Sequence, residues 1–334
     1  MENAMQLDLR TVSIEPLRNG YDHLIRRFGD KPASRYQEAS YDLQAAENLH
    51  YRPTWDPDQE LYDAGITKIV MAAWYELKDP RQFYYSPYTL NRARQQENIE
   101  ANFKFVESRG LIDLVPDAMR ELAVNLLVPL RHAAWGANLN NTLICSYGYG
   151  VVFTQPCIYH AMDNLGIAQY LSRLGLALDD TDALQHGKEQ WQNGKAWQGL
   201  RRFTEDTMVI RDPFEVFVAQ NVALDGLLYP LIYERIVDDK FAAEGGSAIT
   251  MLCQFQRDWF DETRKWVDAV MKRAAAESEH NREQLVTWTR LWRDRATAAL
   301  LPVIEQVFAE QADAVMEEQL AAFKARLDKI GVEA

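Results

Sequence analysis

The chain has 334 residues, of which 47% are hydrophobic, and it contains only 16 glycines and 12 prolines. That composition favours long regular elements around a large core, and it excludes collagen-like, solenoid and disordered chains. The formal net charge of −13 would repel nucleic acid and anionic membranes, so the expected partners are other proteins.

Residues 1–88 differ from the rest of the chain. They contain two stretches rich in proline and aromatic residues, His50–Pro57 and Asp79–Tyr88. Because the residue before a proline disfavours helix, the sequence predicts an extended N-terminal arm over 1–88. Its aromatic side chains need a surface to lie on, which is either this chain's own helices or a partner subunit.

A helical period begins at Thr89 and predicts three long helices. The first covers about 89–109. The second runs from about 115 to 147 with a kink at Pro129, and the third covers about 151–178 and stops at Asp179-Asp180.

After a connector that contains two tryptophans, Asp212-Pro213 forms an N-cap and first-turn signal for a fourth helix, which ends at Gly245-Gly246. Ser247 is the predicted cap of a fifth helix that reaches about residue 276. Asn281 is the predicted start of a C-terminal pair of helices that is interrupted near Pro302. The sequence therefore predicts an all-α protein with a helical core over 89–276 and C-terminal helices over 277–334.

Apolar residues lie at helical spacing along two of these helices, which predicts a helix bundle. The residues that form these predicted core seams are Phe153, Ile167, Leu171, Leu252, Phe255, Trp259 and Trp266.

The three cysteines, Cys145, Cys157 and Cys253, are widely spaced and show no metal-ligand pairing. They favour a reduced, cytoplasmic protein. The N-terminus lacks the basic start and apolar core of a signal peptide. The most apolar segment, 145–162, is too interrupted by glycine and proline for a membrane span.

Two motifs point to a family. Asp261-Glu262-Thr263-Arg264-Lys265 resembles the Asp-Glu-x-Arg-His motif of diiron monooxygenases, with Lys265 in place of the ligand histidine. About a hundred residues earlier, the segment 163–169 resembles the sister motif, with Asn164 and Ile167 in place of the ligand glutamate and histidine.

The chain as a whole resembles the β subunits of the hydroxylase components of bacterial multicomponent diiron monooxygenases, phenol hydroxylase above all, and also those of toluene and methane monooxygenases. The strings that carry the resemblance are Arg27–Tyr41, Asp79–Tyr85, Val128–Ala133 and Leu224–Leu228. This resemblance implies a ferritin-like helix bundle with a long crossover, an N-terminal arm and extra C-terminal helices.

The resemblance also implies partners and an activity. In that family a diiron α subunit, the β subunit and a small γ subunit form an (αβγ)2 hydroxylase that inserts one oxygen atom from O2 into an aromatic ring. A reductase with FAD and an iron–sulfur centre supplies electrons from NADH, and a regulatory protein binds the hydroxylase. The β subunit repeats the fold of α without the metal.

The residues themselves argue against iron in this chain. Paired iron ions need several carboxylates from four helices to offset their repulsion, and the stretch from Leu122 to Met162 contains no Asp or Glu. Lys265 would bring a positive charge towards the ions. Two Glu-x-x-His strings, Glu47–His50 and Glu277–His280, lie far apart and are interpreted as surface coincidences. We therefore predict no catalytic, cofactor-binding or metal-binding residue in this chain.

One residue of the motif carries a specific hypothesis. Glu262 lies between Trp259 and Trp266 on a core seam, and a buried lone carboxylate is costly unless it is paired. We expect it to hydrogen-bond within the bundle, with His160 or Asn164 as first candidates. The alternative is a helix rotation that places Glu262 in solvent.

Three readings of function remain open from the residues: a non-catalytic subunit, a diiron enzyme in its own right, and an unrelated helical scaffold. The arm is the candidate for wrapping the α subunit, with Trp55, Tyr84 and Tyr85 as anchors. The alternative is that these aromatics cover this chain's own bundle.

Overall fold

A computed structural model of the chain describes residues 22–29, 31, 33–45, 52–54 and 56–333. The predicted all-α class is confirmed. The helices are α1 (Asp22–Phe28), α2 (Arg35–Glu38), α3 (Tyr85–Ser108), α4 (Asp117–Leu126), α5 (Leu130–Tyr147), α6 (Val151–Asn193), α7 (Gln198–Thr207), α8 (Pro213–Phe241), α9 (Ser247–Glu277), α10 (Glu279–Phe308) and α11 (Ala312–Asp328).

Four long helices form the centre of the bundle. α5 packs along α6, α6 touches α9, α9 packs along α8, and α8 touches α5, which closes a ring of four. α5 and α6 are joined by a tight turn in which Gly150 adopts a φ of 86°, a conformation that favours glycine. The second half of α6 and α7 form the crossover to the second pair of helices.

The predicted core seams are confirmed, because all seven of their residues are buried. Aromatic rings pack against one another both between and within the two helix pairs. Phe153 of α6 stacks on Phe214 of α8 with ring centroids 5.0 Å apart, and Phe217 of α8 meets Trp266 of α9 edge to face at 5.4 Å. Such contacts add to the burial of large apolar area that holds the bundle together.

Several helix ends lie where the sequence predicted them. α4 ends at Leu126 and α5 begins after Pro129, which breaks the predicted second helix. Asp179 and Asp180 leave the helical conformation and divide α6 into 151–178 and 181–193. Asp212 caps α8, its carboxylate accepting from the backbone N–H of Phe214 at 2.9 Å.

Other predicted ends are wrong. α3 begins at Tyr85 rather than Thr89, because Pro87 falls in the first turn, where its missing N–H costs little. Ser247 does not cap α9, since Gly246 holds the N-cap position without a side-chain bond. Pro302 is accommodated inside α10, and the break comes at Ala309.

Asn281 does not start α10. Ser278 is the N-cap, and its hydroxyl accepts from the backbone N–H of Asn281 at 3.1 Å. Asn281 is instead buried and bonded to the arm: its side chain accepts from the N–H of Val70 at 3.0 Å and donates to the Val70 carbonyl at 2.8 Å. An asparagine that resembled a cap signal therefore fixes the position of the arm.

The described part of the arm packs on this chain's own bundle. Gln44 donates to the Gly148 carbonyl at 3.0 Å and accepts from the Gly150 N–H at 2.8 Å, so it seals the α5–α6 turn. Tyr84 packs against a small apolar cluster in which Tyr36 of the arm lies beside Val152 of α6. Tyr85 remains 70% exposed, and Trp55 lies outside the described residues.

Among the described residues, one helix, Pro213–Phe241, is long and apolar enough to cross a membrane by length and composition, but its apolar window is wholly buried inside the bundle. A central core helix of a globular protein passes the same test. Two stretches of this helix, Val218–Leu224 and Pro230–Phe241, are π-helical, and Asp225 stands between them. π-helical turns change which residues face the centre, and they are frequent at functional positions.

Candidate functional site: the polar interior of the bundle

The two motif segments lie on α6 and α9, but their residues do not meet at the centre of the bundle. On α9, Thr263 occupies the buried side between Trp259 and Trp266, while Glu262 sits at the rim with 21% of its side chain exposed. Lys265 is exposed and points away from the interior. The expectation that Lys265 brings charge towards a metal position is therefore wrong.

Glu262 is paired within the protein, but not with the predicted partners. Arg92 of α3 donates to Glu262 at 2.8 Å, and Asn91 donates to its other oxygen at 3.2 Å. The hypothesis that His160 or Asn164 binds Glu262 is wrong, because the helix register turns Glu262 away from α6 and towards α3. A guanidinium within reach is also a stronger partner for a carboxylate than a neutral amide.

Arg92 links both motif segments. Its Nε and Nη2 atoms donate to the two oxygens of Asp163 at 2.7 Å each, a bidentate pair that is buried on both sides. Burial alone would lower the pKa of Arg92, but its bonds to Asp163 and Glu262 outweigh burial and raise the pKa above its usual value. Tyr88 donates to Asp163 at 2.8 Å, and burial followed by the Asp163 charge raises the Tyr88 pKa.

The arm contributes a second cation to the same cluster. Arg81 pairs with buried Asp79 at 2.9 Å and reaches Glu262 at 3.4 Å, and its guanidinium lies over the Trp266 ring at 5.2 Å. We call these residues the ion cluster: Asp79, Arg81, Arg92, Asp163 and Glu262. Three carboxylates and two guanidinium groups share this space, and each carboxylate of the cluster is paired with at least one arginine.

The centre of the bundle holds a second, mostly neutral network. His160 of α6 lies with its Nε2 atom 3.2 Å from the carboxylate of Asp225 on α8, and Gln220 donates to the other Asp225 oxygen at 2.8 Å. Asn140 of α5 donates to Gln220 at 2.9 Å, and Asn164 donates to the His160 backbone carbonyl at 2.9 Å. We call these five residues the central network.

Further amides extend the network along α5 and α8. Asn140 also donates to the Thr207 hydroxyl at 2.8 Å, and Asn141 and Asn221 exchange two side-chain hydrogen bonds of 3.0 and 2.9 Å. Because neutral amides satisfy one another without exposing a net charge, such a network costs less to bury than paired carboxylates do.

A small internal cavity of about 20 Å³ adjoins the central network and is lined by Asn164, Gln220 and Asp225 together with apolar side chains. Two buried polar atoms of the network, His160 Nδ1 and Asn140 Oδ1, have no protein partner. A cavity of this size has room for about one water molecule, and the polar lining would give it hydrogen-bond partners.

The donor set does not fit a diiron centre. Within the residues that the structure describes, no three His, Cys, Asp or Glu side chains lie together in a metal-binding group. Of the central groups only Asp225 is a carboxylate, and it is already bonded to His160 and Gln220. Two irons need several anionic ligands, so no chemical step is assigned to a metal in this chain.

One of the two Glu-x-x-His strings, Glu277–His280, forms hydrogen bonds to the arm. Glu277 accepts from the Ala72 N–H at 2.8 Å and pairs with Arg273, and these bonds hold its pKa below the usual value. His280 lies 3.0 Å from the carbonyl oxygen of Lys68. Glu277 at the end of α9 and His280 at the start of α10 thus both bind the arm. Glu47 and His50 lie outside the described residues.

Another histidine lies far from the centre. His132 on α5 stacks on Trp191 with ring centroids 5.5 Å apart. Burial, together with the nearby charges of Arg131 and Lys188, lowers its pKa to about 4. This imidazole is therefore neutral at physiological pH and acts as a packing group.

Sequence reasoning missed Asp225 and Arg92. Asp225 could have been found, since it is the single charged residue in the apolar run 216–232 and falls within one of the strings that carry the resemblance. Arg92 gave no such signal, because it lies in an ordinary polar helix beside other charged residues.

The bundle geometry and the motif segments together define the helical fold of a hydroxylase subunit. The sequence model of the Methane/Phenol/Alkene Hydroxylase family matches residues 53–278, and the chain belongs to this family.

Individual relatives show which members of the family this chain resembles. The chain is 48% identical over 330 residues to a phenol 2-monooxygenase oxygenase component of Pseudomonas sp. (strain CF600), covering 98% of both sequences. It is 42% identical, over 98% of both, to a phenol 2-monooxygenase oxygenase component of Acinetobacter pittii (strain PHEA-2). A chain of the phenol hydroxylase crystal structure from Pseudomonas sp. OX1 superposes with a TM-score of 0.89 at 44% identity, covering 96% of this chain and 97% of that one. The resemblance to phenol hydroxylase is confirmed.

Proposed function

We propose that this chain is the non-catalytic β subunit of a phenol-hydroxylase-type monooxygenase. It would assemble with a diiron α subunit and a small γ subunit in an (αβγ)2 hydroxylase in the cytoplasm. A reductase carrying FAD and an iron–sulfur centre would bring electrons from NADH, and a regulatory protein would bind the hydroxylase. Two relatives are phenol 2-monooxygenase oxygenase components, and this supports the assignment to a multicomponent hydroxylase.

One observation carries the non-catalytic role. Two carboxylates of the motif segments, Asp163 and Glu262, are held by the guanidinium of Arg92 at 2.7 and 2.8 Å. An arginine does not lose its proton in a protein, so it cannot make way for a cation beside those carboxylates without leaving a buried unpaired charge. The fold keeps its helices in place through ion pairs and amides instead of metal.

The role of the chain is then structural and not catalytic. A bundle closed by the ion cluster gives a rigid body, because buried side chains that are paired with one another fix one arrangement of their helices. Such a body can hold a partner subunit in one orientation. The atoms that react with O2 and the aromatic substrate would all belong to the α subunit, which would also set substrate choice.

The test is reconstitution of phenol hydroxylation from separately purified subunits, with NADH, reductase and regulatory protein present. We expect the isolated chain to be inactive, and we expect the α subunit to need it for full activity. The matched variant is Glu262→Gln, which keeps the shape of the side chain and removes its charge. In the assembled hydroxylase this variant should leave kcat unchanged. Phenol turnover by the isolated chain would overturn the proposal. A clear fall in the kcat of the assembled hydroxylase that carries Glu262→Gln would also overturn it.

A further inference from the structure

Two of the three cysteines lie on the helix hairpin that α5 and α6 form. Cys145 is in the last turn of α5 and Cys157 is in the second turn of α6, with the tight turn at 148–150 between them. Both are free thiols; Cys157 is wholly buried, whereas Cys145 is only partly buried. Neither belongs to the ion cluster or to the central network, so their role is separate from both.

Hydrogen bonds across the hairpin show which side of α5 faces α6. Arg131 of α5 donates to the Leu184 carbonyl of α6 at 2.7 Å. Seven residues further along α5, Asn138 donates to the Ala161 carbonyl at 2.8 Å. Residues seven apart lie on nearly the same side of an α-helix, because two turns contain about seven residues. Cys145 is the next residue at this spacing, so it also lies on the side of α5 that faces α6.

The facing side of α6 contains Cys157. Ala161 of this side accepts the bond from Asn138, and a Cβ built on Gly148 of the turn would lie 2.9 Å from Thr154 Cγ2. Cys157 lies three residues after Thr154 and four before Ala161, which is the spacing of one helix face. The two contacts therefore lie on either side of Cys157 along the interface between the helices.

The two cysteines also lie at the same level of the hairpin. From the contact between Gly148 and Thr154, three residues back along α5 lead to Cys145, and three residues forward along α6 lead to Cys157. Because the helices are antiparallel, both steps run about 4.5 Å in the same direction. Burial raises the pKa of the Cys157 thiol, and the nearby Cys145 raises that pKa further, which agrees with their facing one another.

The residues around the pair let the two helices come close. Gly148, Thr154 and Ala161 are all small, and small side chains bring packed helices to the short end of the usual axial separation of about 8–10 Å. A disulfide needs Cβ atoms about 4 Å apart. Facing positions on closely packed helices are where a disulfide of this kind can form.

We propose that Cys145 and Cys157 form a redox-sensitive dithiol site, which a peroxide converts into a disulfide that joins α5 to α6. The Cys145 thiolate attacks one oxygen of the peroxide, so that the O–O bond breaks and a sulfenic acid and hydroxide form. The Cys157 sulfur then attacks the Cys145 sulfur, and the sulfenic oxygen leaves as water. Two thiols thus lose two electrons, and one hydrogen peroxide is reduced to two water molecules.

The surroundings of Cys145 set the speed of the reaction. Only the thiolate attacks a peroxide, and burial raises the pKa of Cys145 above its usual value. The thiolate fraction is therefore small at neutral pH, and the site responds to sustained oxidant and not to a brief pulse. The rate should rise by about tenfold for each pH unit below that pKa. The inference is independent of the proposed function, because it concerns the single chain.

The experiment treats the folded, full-length chain with hydrogen peroxide and then alkylates the remaining thiols after unfolding. Trypsin would leave both cysteines in one peptide, since 132–172 contains no Lys or Arg. Chymotrypsin separates them, because it cuts after the three aromatic residues of 146–156. We expect a linked pair of chymotryptic peptides that contain Cys145 and Cys157, which dithiothreitol separates, and an alkylated Cys253.

Three alanine variants give matched comparisons. Cys145→Ala and Cys157→Ala should not form the link, whereas Cys253→Ala, which removes the buried cysteine of α9, should form it like the wild type. Because Cys145 is only partly buried, Cys145→Ala should keep the circular dichroism spectrum of the wild type. The linked chain should melt at least about 2 °C higher than the reduced chain, since the bond closes a short loop in the unfolded state.

Several results would overturn the proposal. One is a peroxide-treated chain in which Cys157 still alkylates while Cys145 is oxidised to a sulfinic acid. Others are a disulfide that includes Cys253 or joins two chains, and a linked chain that melts at a lower temperature than the reduced one. A reaction rate that does not change with pH would overturn Cys145 as the attacking thiolate.

Discussion

Replacing Arg92 with methionine tests the ion cluster directly. The change removes two hydrogen bonds of 2.7 Å to Asp163 and two to Glu262, of 2.8 and 3.2 Å. Asp163 is 4% exposed and would keep only the Tyr88 hydroxyl as a side-chain partner. Removing one member of a buried ion pair costs about 3–5 kcal/mol, because the remaining charge is buried and uncompensated. That is a large fraction of the roughly 5–15 kcal/mol that stabilises an ordinary domain.

The assay is urea unfolding followed by circular dichroism at neutral pH. A second substitution, Asp163→Asn, removes the orphaned charge and should restore most of the loss in the double variant. Arg257→Met is the control, since Arg257 pairs at the surface with Asp238 and the exposed fractions of the two side chains are 48% and 21%. It should cost less than about 1 kcal/mol. A cost below about 1 kcal/mol for Arg92→Met, or no rescue by Asp163→Asn, would refute the reasoning.

Three further predictions concern other parts of the chain. A Cβ on Gly136 would lie 2.2 Å from Thr204 Cγ2, so Gly136→Ala should destabilise the fold by about 1–3 kcal/mol, whereas Gly166→Ala, with its nearest neighbours at 3.8 Å, should be neutral or stabilising in the same urea assay. The folded pKa of His132 is about 4, below the unfolded value of about 6.5, so the unfolded state binds the extra proton and stability should fall as pH drops through that window. His132→Gln should show a shallower loss between about pH 7 and about pH 5, and an unchanged slope would contradict this assignment. Tyr85→Ala should leave the unfolding free energy within about 0.5 kcal/mol of the wild type and weaken binding of the diiron subunit; equal affinity would remove the arm from the interface.

Local signals in the sequence were sufficient for most of the fold. Three signals each act on their own stretch of backbone. Asp212-Pro213 caps a helix, Pro129 removes a hydrogen-bond donor, and Asp179-Asp180 leaves the helical conformation. Their effects hardly depend on the rest of the molecule. The apolar spacing on α6 and α9 likewise identified the buried sides, because burial follows from the helical period alone.

The hydrogen-bond partners of side chains inside the bundle could not be predicted in the same way. Which side chain reaches Glu262 depends on the rotation of α9 against α3, and Arg92 lies 170 residues away along the chain. The same small rotation placed Lys265 in solvent instead of towards the centre. Asn281 matched a cap signal and turned out to hold Val70 of the arm, a contact across 211 residues that a local pattern does not contain.

Iron retention is the measurement that tests the account most directly. The isolated chain and the hydroxylase assembled with the proposed diiron subunit would each be loaded with Fe(II) without oxygen, desalted and analysed for iron. Because its carboxylates are paired with arginine and its centre is filled with amides, the isolated chain should keep no more iron than a protein without metal sites. The assembled hydroxylase should keep its iron. Stoichiometric iron held by the isolated chain, with phenol hydroxylation to match, would contradict the account.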